Sequence, residues 1–329
     1  MKLRFPLYYR KFACIADKCS DNCCIGWEID VDSSTEAFYA SVDGEMGEKL
    51  RSNIKNGSFI LRGERCPFLN DRNLCQIIIN LGEEHLCHIC RQHPRFYGWY
   101  GDIKEGGIGL GCEEAARLIL TEGTGEWFET DIPEEDTDIP DLSTHSFLED
   151  ARSAIFSYME RRDIPFAEKS ATIIDYGEEL QDCLDFGIFE LPPMEPSEPC
   201  GTADFSTFTE LFSRFEPIDE SWTDALYRLK NKKPVANDGF LSNIFVYFIW
   251  RYFMRAVFDG DVISKIKLAA VSCAMISLMA LGHDLESYIS AAKLYSKEIE
   301  YSEENLELLC RMTLTEQAFE NDALKGIIP

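Results

Sequence analysis

The chain has 329 residues, of which 45% are hydrophobic, a formal net charge of −26 and thirteen cysteines. That length supplies one large domain or two to three ordinary ones, each able to bury a core. So acidic a chain is a poor partner for nucleic acid, whose phosphates call for Lys and Arg. The charge suits a solvated surface or a partner presented through lysines.

Taken in order, the opening MKLRFPLYYRKFACIADKC is basic and aromatic but lacks the continuous apolar run of a signal peptide. Phe5, Tyr8, Tyr9 and Phe12 predict a strand or short helix packed beside the cysteine region. Cys14, Cys19 and the adjacent Cys23-Cys24 follow, with Asp17, Asp21 and Asn22 suiting tight turns between the thiols. Residues 26–30, Gly-Trp-Glu-Ile-Asp, alternate like a short strand. Ser33-Ser34-Thr35-Glu36 starts a helix; helices are expected over 35–41 and 45–55, the second ended by Asn56-Gly57. After a short strand at 58–62 come Cys66 and Cys75, a helix that Gly82 would end, and then Cys87 and Cys90. Residues 96–100 and 103–110, joined at Gly101-Asp102, read as a β-hairpin. Cys112-Glu113-Glu114 opens a helix through Leu120, its acids placed for the N-terminal dipole. Residues 126–141 hold eight acids, two prolines and no base, a linker by composition.

Beyond it the pattern is helical over 144–161, 166–186, 205–215, 221–231, 238–258, 261–281, 284–299 and 303–323. Apolar and aromatic residues cover almost the whole circumference of 238–258, which marks it as the centre of a helical domain. No window reads as a membrane span: 240–258 is interrupted by Asn243, Arg251 and Arg255, and 268–281 is shorter than the roughly 20 apolar residues a bilayer needs. A cytoplasmic location is expected. The fold class is mainly α, with a small irregular α+β cysteine-rich N-terminal domain (1–122), an acidic linker (123–142) and a C-terminal helical domain (143–329).

Nine of the thirteen cysteines fall between positions 14 and 112. In a reducing cytosol that density, and the odd total, favour metal binding over disulfides. Thiolates suit zinc and iron–sulfur clusters alike. Only Cys87-x2-Cys90 has the short spacing of a structural zinc site, so spacing leaves zinc and iron both open. His85, His88 and His93 stand nearby, and 85 and 88 would share a face if their segment were one helix. Cys183, Cys200, Cys273 and Cys310 are isolated and expected to be packed. The run Glu105-Gly106-Gly107-Ile108-Gly109-Leu110-Gly111 has the look of a dinucleotide or S-adenosylmethionine loop, but a charged turn precedes it and no β-α alternation follows, so a glycine-rich hairpin strand is the better reading.

The runs PLYYRKFACIADKCSDNCCIGWEIDVD, RCPFLNDRNLCQIIINLGEEHLCHICRQHPR and CEEAARLIL, with FLSNIFVYFIWRYFMRAVFDGD further on, resemble the flagellin lysine-N-methylase family. The cysteine blocks are also similar to a broader zinc- or iron-chelating domain family. The narrower resemblance implies S-adenosylmethionine-dependent methylation of lysines on flagellin, with a cysteine-bound [4Fe-4S] cluster, in the cytoplasm and with peripheral membrane association linked to the family. The motif thiols it carries over are Cys14, Cys19, Cys23, Cys24, Cys66, Cys75, Cys90 and Cys112. Cys87 sits where the family more often has another residue, and GLG precedes Cys112 where a serine is usual. Arg91 and Arg95 are the residues expected to pair with a donor carboxylate, and Tyr8, Tyr9, Glu113 and Arg95 are near enough in sequence to be weighed as proton acceptors. The alternative is a non-catalytic zinc- or iron-chelating protein with a helical partner-binding domain.

Overall fold

The computed structural model describes residues 1–20, 23–26, 28–200, 204–229 and 232–329. The chain forms two compact units. The larger comprises Met1–Phe12, Tyr97–Gly111 and Ala115–Pro329; the smaller comprises Ala13–Phe96 with Cys112–Glu114. The units do not follow the 1–122, 123–142 and 143–329 division that composition suggests. Residues 1–12 and the hairpin belong with the helices, and the cysteine-rich unit is an insertion between them.

The larger unit is mainly helical with one four-stranded sheet. Its strands Lys2–Pro6, Arg95–Tyr100 (the part from Tyr97 on), Ile103–Ile108 and Trp127–Asp131 are ordered so that Lys2–Pro6 lies between the last two. Lys2–Pro6 runs parallel to Ile103–Ile108, with Arg4 opposite Glu105, and antiparallel to Trp127–Asp131, with Phe5 opposite Phe128. The expected hairpin is present, and part of the expected acidic linker is its neighbour's strand. Acids and strand structure are compatible here because residues 129–131 are exposed and paired by Lys2 and Arg4.

Glu105 lies on the buried face of this sheet, 4% exposed. Both its oxygens accept from Arg152 of the Leu142–Met159 helix at 2.6 Å. Arg152 also stands 5.0 Å from the Trp250 ring, and the Trp250 indole N–H donates to the Gly106 carbonyl at 3.1 Å. Burial pulls the Arg152 pKa down, but the Glu105 charge beside it outweighs that and holds it raised. Gly106 explains part of the glycine run: a Cβ there would stand 2.3 Å from the Phe5 ring, so the ring fills the place of a side chain. Gly111 is crowded by the Tyr301 ring in the same way. Both glycines are occupied by the protein's own aromatics, in keeping with the hairpin reading.

Most of the long helices start where the sequence places Asp, Asn or Ser caps; Phe166–Asp185, which follows Pro165, has no side-chain cap. Asp141, Asn237, Asp261, Asp284 and Ser302 each accept from the backbone N–H three residues on. Val262–Met279 packs against Phe166–Asp185, Asp238–Tyr252, Leu285–Glu300 and Glu303–Thr315. It is buried on almost every side, so it shares the centre with Asp238–Tyr252. By length and composition this one helix could cross a membrane, yet 94% of it is enclosed by the protein; a buried core helix meets the same test. A second polar network sits on Glu300. It accepts from Tyr247 at 2.8 Å, Tyr252 at 2.9 Å and Ser296 at 2.6 Å, and pairs with Arg251 at 2.9 Å. Tyr247 in turn takes the Leu110 N–H at 3.4 Å, which ties the glycine segment to the helices.

The smaller unit is built from short helices Ser33–Ser41, Gly44–Ser52, Gln76–Leu81 and His88–Gln92, and a two-stranded ribbon of Ile54–Lys55 and Ser58–Phe59. The expected helix over 45–55 ends earlier, at Ser52. Asn56 and Gly57 both have positive φ, 55° and 78°, the signature of a tight hairpin turn, and Asn-Gly forms that turn in place of a helix cap. Among the described residues the expected strand at 26–30 is reduced to single bridges, from Ile25 to Arg65 and from Asp30 to Ser58; Trp27 lies outside the described residues, as do Asp21 and Asn22. Asp32 organises this unit. Its carboxylate caps Ser33–Ser41 through the Thr35 N–H at 3.0 Å and also accepts the His88 N–H at 2.8 Å. The Ser34 hydroxyl and these amides hold its pKa well below the usual carboxylate range.

Two outcomes follow. Arg152→Met leaves the Glu105 carboxylate buried with Arg4, 4.0 Å away, as its nearest cation; denaturant unfolding should show a loss of about 3 kcal/mol, most of it restored in Glu105→Met/Arg152→Met. Asp32→Ala should cost about 1 kcal/mol and speed the reaction of the smaller unit's thiols with a disulfide reagent. Because the folded pKa of Asp32 is lowered, its contribution is complete above about pH 4 and fades on further acidification, so wild type and Asp32→Ala should converge in acid.

Candidate functional site

The smaller unit has one apolar core, made of Ile29, Val31, Tyr39, Leu50, Phe59, Phe68 and their neighbours, and five thiols belong to it. Cys66 and Cys87 are buried within it, and Cys24, Cys75 and Cys90 pack against it. Four short segments bring them there. Cys24 accepts the Cys66 N–H at 2.9 Å, and Gly26 donates to Glu64 at 2.8 Å, so 24–26 and 64–66 lie side by side. Asn70 turns the chain between Cys66 and Cys75: its side-chain oxygen accepts from Arg72 at 2.9 Å and Leu74 at 3.0 Å, a local Asx turn. Leu69 then bridges Cys75. Cys75 and Cys87 each stand just before a helix start, and the tie from Asp32 to His88 fixes the second.

The thiols sense one another. Cys24 hydrogen-bonds Cys23, and its pKa is raised by that bond, by burial and by Cys23, Cys66 and Cys90. Cys90 hydrogen-bonds Cys87 and is raised by that bond, by burial and by Cys87, Cys66 and Cys75. The same bond lowers Cys87. Burial pushes Cys66 up to about 11 and raises Cys75. Cys23, Cys24, Cys66, Cys75, Cys87 and Cys90 therefore form one neighbourhood, and Cys87 is inside it. All thirteen cysteines are free thiols. Among the described residues no three His, Cys, Asp or Glu side chains surround one point as a metal ion's ligands would; Cys23 with Cys24 and Cys87 with Cys90 form hydrogen-bonded pairs. As a donor set they fit a soft thiophilic group: they supply more than four sulfurs in a dry setting.

Cys14 is exposed. Cys19 lies with Glu113, its sulfur 3.8 Å from the Glu113 carboxylate, which also accepts the Ser20 N–H at 2.9 Å and the Ser20 hydroxyl. Cys112 precedes Glu113 in sequence, at the start of the Glu113–Glu122 helix. His85 and His88 do not share a helix face. His85 ends a 3-10 turn and stacks on Phe38 at 4.3 Å, whereas His88 opens the next helix and is exposed. Leu86-Cys87 breaks the segment between them. Arg91 is exposed, and the Arg95 guanidinium donates to the Arg91 carbonyl at 3.1 Å.

The four residues weighed as proton acceptors fall in different units. Glu113 and Arg95 belong to the smaller one, Tyr8 and Tyr9 to the larger. Tyr9 stacks on Phe5 at 3.9 Å. The Tyr8 hydroxyl is buried with no hydrogen-bond partner among the described residues, and burial raises its pKa, beside Arg251 and Glu300. Of the isolated cysteines, Cys273 is fully buried and Cys183 and Cys310 partly so, while Cys200 is exposed and donates to Asp322 at 3.3 Å; its proline-rich segment offers no core to pack against.

Residues 227–326 match the family model of the FliB lysine N-methylase C-terminal domain, so the matched segment lies in the larger unit. A flagellar biosynthetic protein FliU of Salmonella muenchen is 32% identical over 130 residues, which is 36% of this chain and 76% of that protein. Lysine-N-methylases of Salmonella typhimurium and Salmonella choleraesuis are each 30% identical over 130 residues, 36% of this chain and 32% of their own length. The match thus spans three-quarters of the first relative and about a third of the other two. No solved structure matches the chain at a significant level. With a dedicated C-terminal domain and a relative matched over most of its length, the chain belongs to the flagellin lysine-N-methylase family.

Proposed function

We propose that the protein methylates lysine side chains of flagellin in the cytoplasm, with S-adenosylmethionine as methyl donor and an iron–sulfur cluster on its N-terminal thiols. Family membership carries this reading. The donor set supports the cluster: Cys23, Cys24, Cys66, Cys75, Cys87 and Cys90 form one neighbourhood, which offers more than the four thiolates such a cluster takes. When bound, such a cluster would supply a redox-active, Lewis-acidic centre. Cys14, Cys19 and Cys112 are the remaining motif thiols, and Arg91 and Arg95 are assigned to the donor's carboxylate.

The substrate nitrogen sets the chemical demand. A lysine with the ordinary pKa of about 10.4 is a cation near neutrality and has no electron pair to offer. It must first lose a proton, which desolvation or a neighbouring base promotes. The neutral nitrogen then attacks the sulfonium methyl: the N–C bond forms as the C–S bond breaks, and the electron pair of that bond stays on sulfur, leaving S-adenosylhomocysteine.

Anaerobic purification should yield coloured protein with about four irons per chain. Cys66→Ser and Cys90→Ser should lose most of the iron, and Cys200→Ser should retain it. The reconstituted protein should transfer label from methyl-labelled donor to flagellin lysines. Colourless protein carrying zinc would remove the cluster from the proposal. Absence of label in flagellin, with loaded protein and donor present, would remove the assigned reaction.

A further inference from the structure

A cleft of about 580 Å³ in the larger unit is lined by Trp99, Phe258 and residues 135–138. Its two rings face water although both are large and apolar: Trp99 is 39% exposed and Phe258 is 51% exposed. Phe258 is fixed by stacking on Tyr100 at 6.2 Å. Trp99 is fixed by its indole N–H, which donates to Glu135 at 2.6 Å. The acids of the cleft are not equivalent. Glu135 is committed to Lys104 at 2.7 Å, whereas Asp136 and Asp138 line the cleft with no cation in ion-pair distance among the described residues.

Lys104 shows what this surface does to an ammonium group. Its Nζ stands 4.6 Å from the Trp99 ring and 5.1 Å from the Tyr97 ring while Glu135 neutralises it. One face of the indole neighbourhood thus already holds a lysine by ring and carboxylate together. The cleft repeats the combination with two further carboxylates and a second exposed ring. A metal ion would need convergent oxygens and gains nothing from the rings; an organic cation uses both, its alkyl stem on the aromatic surface and its charge toward the acids.

We infer that the cleft between Trp99 and Phe258 binds a lysine side chain of the protein substrate, with Asp136 and Asp138 drawing its ammonium group. This rests on the methylase reading for the identity of the partner, but the recognition can be measured without methyl transfer. The probe is a fluorescein-labelled octapeptide of Gly and Ser with one central Lys, titrated with the full chain by polarisation beside its norleucine counterpart. The Lys peptide should bind at least about fivefold more tightly, and Asp136→Asn/Asp138→Asn should weaken it about tenfold while leaving the norleucine peptide unchanged. Asp150→Asn/Asp224→Asn, which removes the same charge elsewhere, should have little effect. Phe258→Ala should weaken the Lys peptide about threefold. Equal affinity for the two peptides, or an unchanged Lys affinity in Asp136→Asn/Asp138→Asn, overturns the inference. Methyl transfer to flagellin with unchanged KM in that variant would sink the cleft and leave the methylase standing; the expected binding pattern without any methyl transfer would do the reverse.

Discussion

A carboxylate on the dry face of a sheet is the constraint around which the larger unit is arranged. Glu105 cannot be buried alone, because removing an ion from water costs several kcal/mol unless a counter-charge and hydrogen bonds compensate. Arg152 supplies two matched N–H donors from the first long helix. That position in turn brings Arg152 under the Trp250 ring, and Trp250 returns to the same strand through the Gly106 carbonyl. Three elements far apart in sequence are thereby held in one geometry. Glu300 does the same among the later helices, with two tyrosines, a serine and an arginine satisfying its oxygens. Apolar burial makes the unit compact; these two carboxylates make the packing specific.

Much of the helical scaffold was legible in the sequence because its signals are local. Caps such as Asp141, Asp261 and Asp284 precede apolar runs, and the starts follow from them. Asn56-Gly57 was misleading for the same reason: one dipeptide serves either a helix end or a hairpin, and the choice is made by strand partners such as Ile54 and Phe59. The glycine run was readable only as a negative. Its positive reason, that Phe5 and Tyr301 occupy the space of absent side chains, depends on rings about 100 and 190 residues away in sequence. The thiols were visible at once, but not their grouping. Cys87, ranked last by resemblance, lies inside the neighbourhood, and Cys14 is exposed. The paired carboxylates and the Trp99–Phe258 cleft left no sequence signal, since each joins residues that no periodicity connects.

Within one acidic chain, two kinds of polar chemistry are segregated. The smaller unit concentrates soft, polarisable sulfur in an apolar core. The larger unit buries Glu105 and Glu300 against arginines, seats the buried Glu298 on the Ile218 and Asp219 N–H groups, and carries further ion pairs such as Arg161–Asp163 on its surface. Such segregation matters physically. Thiolates and carboxylates in one buried site would repel, each raising the other's proton affinity. Asp32, the carboxylate that faces Cys87, is occupied with capping contacts, and Cys24, Cys66, Cys75, Cys87 and Cys90 pack in or against the apolar core.

The insertion of the smaller unit between residues 12 and 97 has a consequence for synthesis. The strand Lys2–Pro6 sits inside the sheet, yet both of its neighbours are encoded at 103–108 and 127–131. On the ribosome this early strand must wait for roughly a hundred further residues before it can be paired, with Phe5 and its backbone groups unsatisfied meanwhile. The inserted unit is made almost wholly of residues 13–96, so most of it is synthesised before either partner strand. Conditions that delay those later strands would leave the opening strand as an unpaired edge.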